Sequence, residues 1–97
     1  MTIKDIISDP SLVKENDMIF ARKVNGKFSE SSEVAVLDLT DEEHQMDTSQ
    51  IAEIKCPGFD YFLEAFMIKE MIVDFDKLNS PLSEKVEAII HYGEYDA

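Results

Sequence analysis

The sequence predicts an α+β domain, in which a small, mostly antiparallel sheet of three to four strands packs against two C-terminal helices behind a short N-terminal helix. Two runs rich in β-forming residues, Met18 to Val24 and Val34 to Leu39, lie in the first half of the chain. From Asp60 onward the apolar residues recur at helical spacing instead. The chain has 97 residues, 44% of them hydrophobic, which is enough for one core and too few for two, so residues 1–97 form a single domain.

At the start, Thr2 followed by Asp5 makes a capping-box pattern, and Ile3, Ile6 and Ile7 fall on one helical face, so a short first helix is expected. Asp9-Pro10-Ser11 breaks it, and Leu12 to Glu15 add a further turn before Asn16-Asp17. The Met18 to Val24 strand ends at Asn25-Gly26, a hairpin turn in which both residues tolerate positive φ, and Lys27-Phe28 begin the return. A polar loop over Ser29 to Glu33 leads to Val34 to Leu39, which is expected to be the central strand. Thr40 to Glu43 repeat the capping-box pattern, although His44 to Gln50 carry only Met46 as an apolar residue and read as a loop or a single helical turn.

Ile51 to Cys56 read as an edge strand closed by Pro57-Gly58. Asp60 to Leu78 are expected to form the core helix. Phe59, Phe62, Leu63, Phe66 and Val73 share one face of it, while Met67, Ile68, Met71, Ile72 and Phe75 fill much of the remainder, so it should be covered on more than one side. Asn79-Ser80-Pro81 then mark a stop and a new start, with Ser80 as N-cap and Pro81 at the first helical position, where its missing N–H costs nothing. Leu82, Val86, Ile89 and Ile90 form the buried stripe of a last helix that runs to about Tyr92, with Gly93 as its C-cap and residues 94–97 as a tail.

Charge narrows the function. Twenty-one acidic residues against nine basic ones give a formal net charge of −12, a field that repels phosphate backbones and anionic lipids. Direct nucleic-acid binding is therefore not expected. The same field would speed association with a basic protein, although acidic surfaces also serve solubility alone. The longest apolar run, Ala65 to Ile68, ends at Lys69, far short of the ~20 residues a spanning helix needs, so no membrane insertion is expected. Met1 to Ile7 are interrupted by charge and lead to no small-residue cleavage site, which makes the cytoplasm the expected compartment.

The residues of metal, nucleotide and acid–base chemistry do not assemble into a motif. His44 and His91 lie in separate elements, the acids from Asp41 to Asp47 lack the glycine and alternating ligands of a calcium loop, and Gly26, Gly58 and Gly93 are scattered, so no metal or cofactor is expected. Cys56 is alone, which allows no internal disulfide, and it reads as a half-buried apolar residue because a catalytic thiol would need a base beside it. Glu70 lies between Met67 and Val73 on an apolar helix and would be the acid to carry catalysis if it were desolvated. Its alternative is a carboxylate that reaches solvent or pairs with Lys69 or Lys77. Met67 and Met71 fall at core spacing rather than in a binding groove. Tyr92 and Tyr95, close to Glu94 and Asp96, resemble an interface cluster, although tails are also often unstructured.

Val34-Ala35-Val36-Leu37-Asp38-Leu39-Thr40-Asp41-Glu42-Glu43 and Ala88-Ile89-Ile90-His91-Tyr92-Gly93-Glu94-Tyr95-Asp96-Ala97, taken together, resemble small acidic bacterial proteins, some of which look like immunity proteins of contact-dependent growth inhibition systems. In that family a Val-Leu-Asp strand passes into an acidic loop, a long helix follows, and the chain closes on a helix ending in tyrosines and Asp-Ala; the order agrees over roughly residues 17–97. An aromatic-rich segment usual before the strand is represented here only by Phe20 and Phe28, and the family's double tyrosine is His91-Tyr92. The resemblance implies a protein that binds and neutralises a cognate toxin domain, commonly a nuclease, and it assigns no binding residues. Charge points the same way, because a nuclease presents a basic cleft that an acidic protein can occupy.

The residues expected to meet such a partner are Glu30, Glu33, Asp38, Asp41, Glu42, Glu43 and Asp47, joined by Tyr92, Tyr95 and Asp96 near the C-terminus. No catalytic residue is expected. Two other functions fit the same sequence: an acidic adaptor or regulatory subunit that binds a non-toxin protein, and a small enzyme that uses a buried acid such as Glu70.

Overall fold

The computed structural model describes residues 1–95, so Asp96 lies outside the described residues. The first helix, α1 (Ile3–Ser8), forms as its capping box predicts: the Thr2 N–H donates to Asp5 Oδ2 at 2.9 Å and the Asp5 N–H donates to Thr2 Oγ1 at 3.3 Å. Its Ile3, Ile6 and Ile7 are buried. A 3-10 turn at Pro10–Leu12 follows, and the chain then enters β1 (Met18–Ala21).

The sheet has three strands in the order β2-β1-β3, where β2 is Val34–Leu37 and β3 is Asp60–Glu64, and both pairings are antiparallel. β1 is therefore the central strand. Val34 to Leu37, expected at the centre, form an edge, and all four are only partly buried, whereas all four residues of β1 are buried. The β-forming composition of Val34 to Leu39 revealed a strand but not its rank, because only burial on both edges distinguishes the middle position. Beyond β1, Asn25 and Gly26 adopt φ of 54° and 81° and close a tight turn in which Val24 and Lys27 exchange backbone hydrogen bonds.

Side-chain alternation along β1 divides the core. Ile19 and Ala21 face one side with α1, Phe28, Val86 and Ile89, whereas Met18 and Phe20 face the other with Leu39, Ile51, Ala52 and Cys56. The first side is covered by α4 (Ala65–Lys77) and α5 (Leu82–Tyr95), as the sequence predicts. The second is covered by α3 (Thr48–Lys55) together with Leu39 and Met46, which flank the short helix α2 (Asp41–His44), where the sequence predicts an edge strand and at most a single helical turn.

Two elements differ in kind from the sequence expectation. Ile51 to Cys56 belong to helix α3 and its cap rather than to an edge strand, with Ile51 and Ala52 buried as adjacent positions of one helical face and Ile54 left 66% exposed. Asp60 to Glu64 form strand β3, so the long helix begins only at Ala65. The pairing of β3 shifts register between Ile19 and Phe20, where Phe62 is the extra residue of a bulge. Phe62 and Leu63 consequently join the same core although they are sequential, a placement that mimics helical spacing.

Helix α4 buries Ala65, Ile68 and Ile72, with Met67, Met71 and Phe75 packed partly against the core. Phe66 and Val73, expected on its buried face, are 44% and 53% exposed. The helix stops at Asn79, whose φ of 55° lets the Asn79 and Ser80 N–H groups reach the Asp76 and Phe75 carbonyls. Helix α5 starts at Leu82, and the Pro81 carbonyl accepts from the Glu84 and Lys85 N–H groups. The helix continues to Tyr95, so Gly93 is interior and not a C-cap.

Gly93 is required by packing. A Cβ there would lie 2.6 Å from Cδ1 of Phe62 and closer still to Cε1. Phe62 is itself buried edge-on against Phe28, with ring centroids 4.9 Å apart, so a shift of its ring would disturb that packing. Helix propensity alone would make Gly93→Ala stabilising by up to about 1 kcal/mol. The overlap should dominate, at about 1–3 kcal/mol destabilising. Urea unfolding of the two proteins measures the sign directly, and a more stable alanine variant would show that Phe62 can shift.

Candidate functional site

The expected partner-binding residues separate into three places. Asp38, Asp41, Glu42, Glu43 and Asp47 lie on the segment that leaves β2 and builds α2 and the start of α3. Glu30 and Glu33 lie before β2, at its other end, where Ile3 and Lys4 N–H groups donate to the Ser32 and Glu30 carbonyls. Tyr92 and Tyr95 lie in the last turns of α5, which belongs to the layer on the opposite face of the sheet from α2 and α3.

The length of β2 sets the distance between the acidic groups. Glu33 and Asp38 flank the four residues of β2, and five steps of extended chain span about 17 Å. That is about twice the screening length of ~8 Å at physiological ionic strength, so the two groups act as independent patches. The structure does not unite them into one acidic surface.

Within the α2 segment, Asp38, Asp41, Glu42 and Asp47 are exposed, and among the described residues none of them is in an ion pair or a side-chain hydrogen bond. Asp41 and Glu42 stand in the first turn of α2, where the helix dipole favours negative charge. Glu43 differs. Its Oε1 accepts the Thr40 N–H at 3.0 Å in a capping box, and its Oε2 pairs with Lys55 Nζ at 2.9 Å, bracing α2 against the end of α3. The Thr40 N–H first, and then the Lys55 ammonium, pull the Glu43 carboxyl down to about 2. Glu43 is thus engaged within the chain, and the free carboxylates of this segment are its neighbours.

Tyr92 is partly buried against the α4–α5 side of the core. Tyr95 is exposed, lies 4.8 Å from the His91 ring between centroids, and lines a groove of about 200 Å³ with Lys27, Phe28 and Glu94. Near the hairpin turn, Tyr95 is remote in the fold from the α2 acids.

Several titratable groups prove structural. Glu70 is exposed on α4, so the desolvated acid that an enzymatic reading would place there is absent from that position. Asp17 is a buried carboxylate, which its sequence context did not single out. It accepts the Lys14 N–H at 2.8 Å, while its own carbonyl receives the Ala65 N–H at 2.9 Å and ties the entrance of β1 to the start of α4. Tyr61 donates to Glu64 Oε2 at 3.0 Å, and burial, then the Glu64 charge, raise its phenol well above the usual tyrosine range. Cys56 is buried in the α3 layer, and burial raises its thiol. Among the described residues, no group of three or more His, Cys, Asp or Glu side chains converges as a metal site would require. No helix among them is long and apolar enough to cross a membrane.

The chain matches no protein-family model, no curated protein and no solved structure.

Glu43 gives the α2–α3 unit a defined pH dependence. Its carboxyl is depressed in the folded state, so the stability it contributes is fully present above the unfolded value of ~4.3 and is lost as pH falls towards 2. Thermal melts between pH 5 and 2 should therefore show Glu43→Gln losing less stability on acidification than the parent. Parallel curves would show that the pairing with Thr40 and Lys55 does not hold in solution.

Proposed function

We propose that this chain is a cytoplasmic inhibitor that binds a basic protein partner, a cognate bacterial nuclease toxin and most specifically an RNase, and neutralises it by charge-complementary occlusion of its active site. The observation that carries the reading is the row of exposed, unpaired carboxylates at Asp38, Asp41, Glu42 and Asp47, held on a capped and braced segment. A nuclease cleft must be basic to hold phosphate, and such a segment presents negative charge to it without having to break internal pairs first. The net charge of −12 extends the attraction beyond the contact and should raise the encounter rate. The resemblance of residues 34–43 and 88–97 to immunity proteins supplies the toxin as the natural basic partner.

The experiment pairs the purified chain with the protein encoded next to it and follows RNA cleavage during titration. Loss of cleavage at a 1:1 ratio, with a complex that dissociates at high salt, supports the reading, whereas cleavage that continues at excess inhibitor removes it. A tight complex with a partner that degrades no nucleic acid would instead indicate an adaptor.

The Asp41→Lys/Glu42→Lys double variant isolates the acidic segment. Rim charges act mainly on association, at about 0.2–1 kcal/mol per exposed pair, so reversing two of them should weaken binding by roughly 10-fold. The affinity of the variant should also fall less steeply with added salt than that of the parent. Unchanged affinity and salt slope would remove this segment from the interface.

A further inference from the structure

Helix α4 carries an apolar stripe on the wrong side for the core. Phe66 and Val73, two turns apart, stand 44% and 53% exposed while Ile68 and Ile72 on the other side are buried. Single exposed hydrophobics are ordinary, but these two line one open groove of about 650 Å³ between α4 and the turn at Glu15 and Asn16. The rest of its wall is Lys69, Glu70 and Asp74, so three carboxylates face one ammonium. Among the described residues, none of these charged groups is in an ion pair.

An aromatic and a branched aliphatic side chain ringed by unpaired acids are the two parts of a protein-docking site, an apolar centre and a polar rim. We propose that this groove anchors an arginine-bearing, apolar-flanked segment of a basic partner protein. The guanidinium stacks on the Phe66 ring and bonds to Glu70, Asp74 or Glu15, and its apolar neighbour covers Val73. Arginine fits better than lysine, because its planar fork both stacks on an aromatic face and forks to a carboxylate. A second copy of this chain is a poor occupant, since it would bring the same acids and another net charge of −12 against the groove.

The inference rests on the basic-partner reading and states where such a partner would hold on. Sheet register supports the combination. Glu15 and Asn16 lead into β1 at Met18, which pairs with Leu37 on one side and Glu64 on the other, so the groove opens at the same end of the sheet as Asp38 and α2.

The test uses two peptides in place of the unidentified partner, acetyl-Leu-Arg-Leu-Arg-Leu-amide and the equally charged acetyl-Ser-Lys-Ser-Lys-Ser-amide. Each is titrated into the ¹⁵N-labelled full chain with amide shifts followed by NMR. Expected are saturable shifts at Asn16, Phe66, Glu70 and Val73 with the arginine peptide, half-complete at about 1 mM. Phe66→Ser should weaken this by about 2–5-fold, and the lysine peptide should bind at least as weakly as that variant binds the arginine peptide. Phe66 is exposed, so the serine variant should retain the parent's spectrum away from α4. Shifts confined to Asp41 and Glu42 would overturn the groove while leaving a basic partner possible at α2. No shifts, equal shifts with both peptides, or a dimer that Phe66→Ser disperses would each overturn it. RNA-cleavage inhibition that survives this failure keeps the inhibitor reading intact.

Discussion

The burial of β1 on all sides constrains everything else in this fold. Met18, Ile19, Phe20 and Ala21 alternate between two faces, and every one of them is buried. Fully burying three large apolar side chains is worth roughly 5–9 kcal/mol, which is comparable with the entire net stability of a small domain. That gain requires a helical layer on each face and a strand along each edge. The brief α2–α3 segment is therefore as necessary as the long C-terminal helices, because Met18 and Phe20 would face water without it. The braces at its ends follow from that requirement: a capping box at Thr40 and the Glu43–Lys55 pair hold two short helices that would be marginal alone.

Sequence patterns revealed what local chemistry determines. Both capping boxes, the Asn25-Gly26 turn, the last helix and the strands that begin at Met18 and Val34 are legible, because each depends on residues within a few positions of one another, although those strands end at Ala21 and Leu37 and not at Val24 and Leu39. The α3 and β3 assignments depended on contacts from afar. Ile51 to Cys56 combine β-branched residues with spacing that both periods accept, and the choice falls to Met18 and Phe20, which need a helical cover. Phe62 and Leu63 look helical only because a bulge opposite Ile19 and Phe20 turns both to one face. That same misreading put Phe66 and Val73 in the core, and so hid the groove.

The candidate site was legible as a composition and not as a place. An excess of twelve acidic residues over basic ones is visible at once, and so is their crowding between Asp38 and Asp47. Which of them are free was not, since Glu43 and Lys55 meet only when α2 and α3 fold together. Nor did the sequence separate Glu30 and Glu33 from the rest, because their distance from Asp38 is set by the length of β2 as an extended edge strand. The tyrosines follow α5 into the opposite layer, and their nearness to acids in the chain carries no information about nearness to the α2 acids in space.

The two surfaces differ in what they can contribute to binding. Exposed carboxylates at α2 act at a distance, so they raise the rate of encounter and lose that effect to salt. They do little to slow departure, because each exposed pair is worth under about 1 kcal/mol. Slow dissociation needs desolvated, well-packed anchors, and on this molecule Phe66 and Val73 offer apolar area beside charge. An inhibitor built on the acidic segment alone would be fast and weak. One that also seats a partner residue on α4 would be fast and persistent, and the pairing of Met18 with Leu37 and Glu64 puts the two surfaces at one end of the sheet, on its opposite faces.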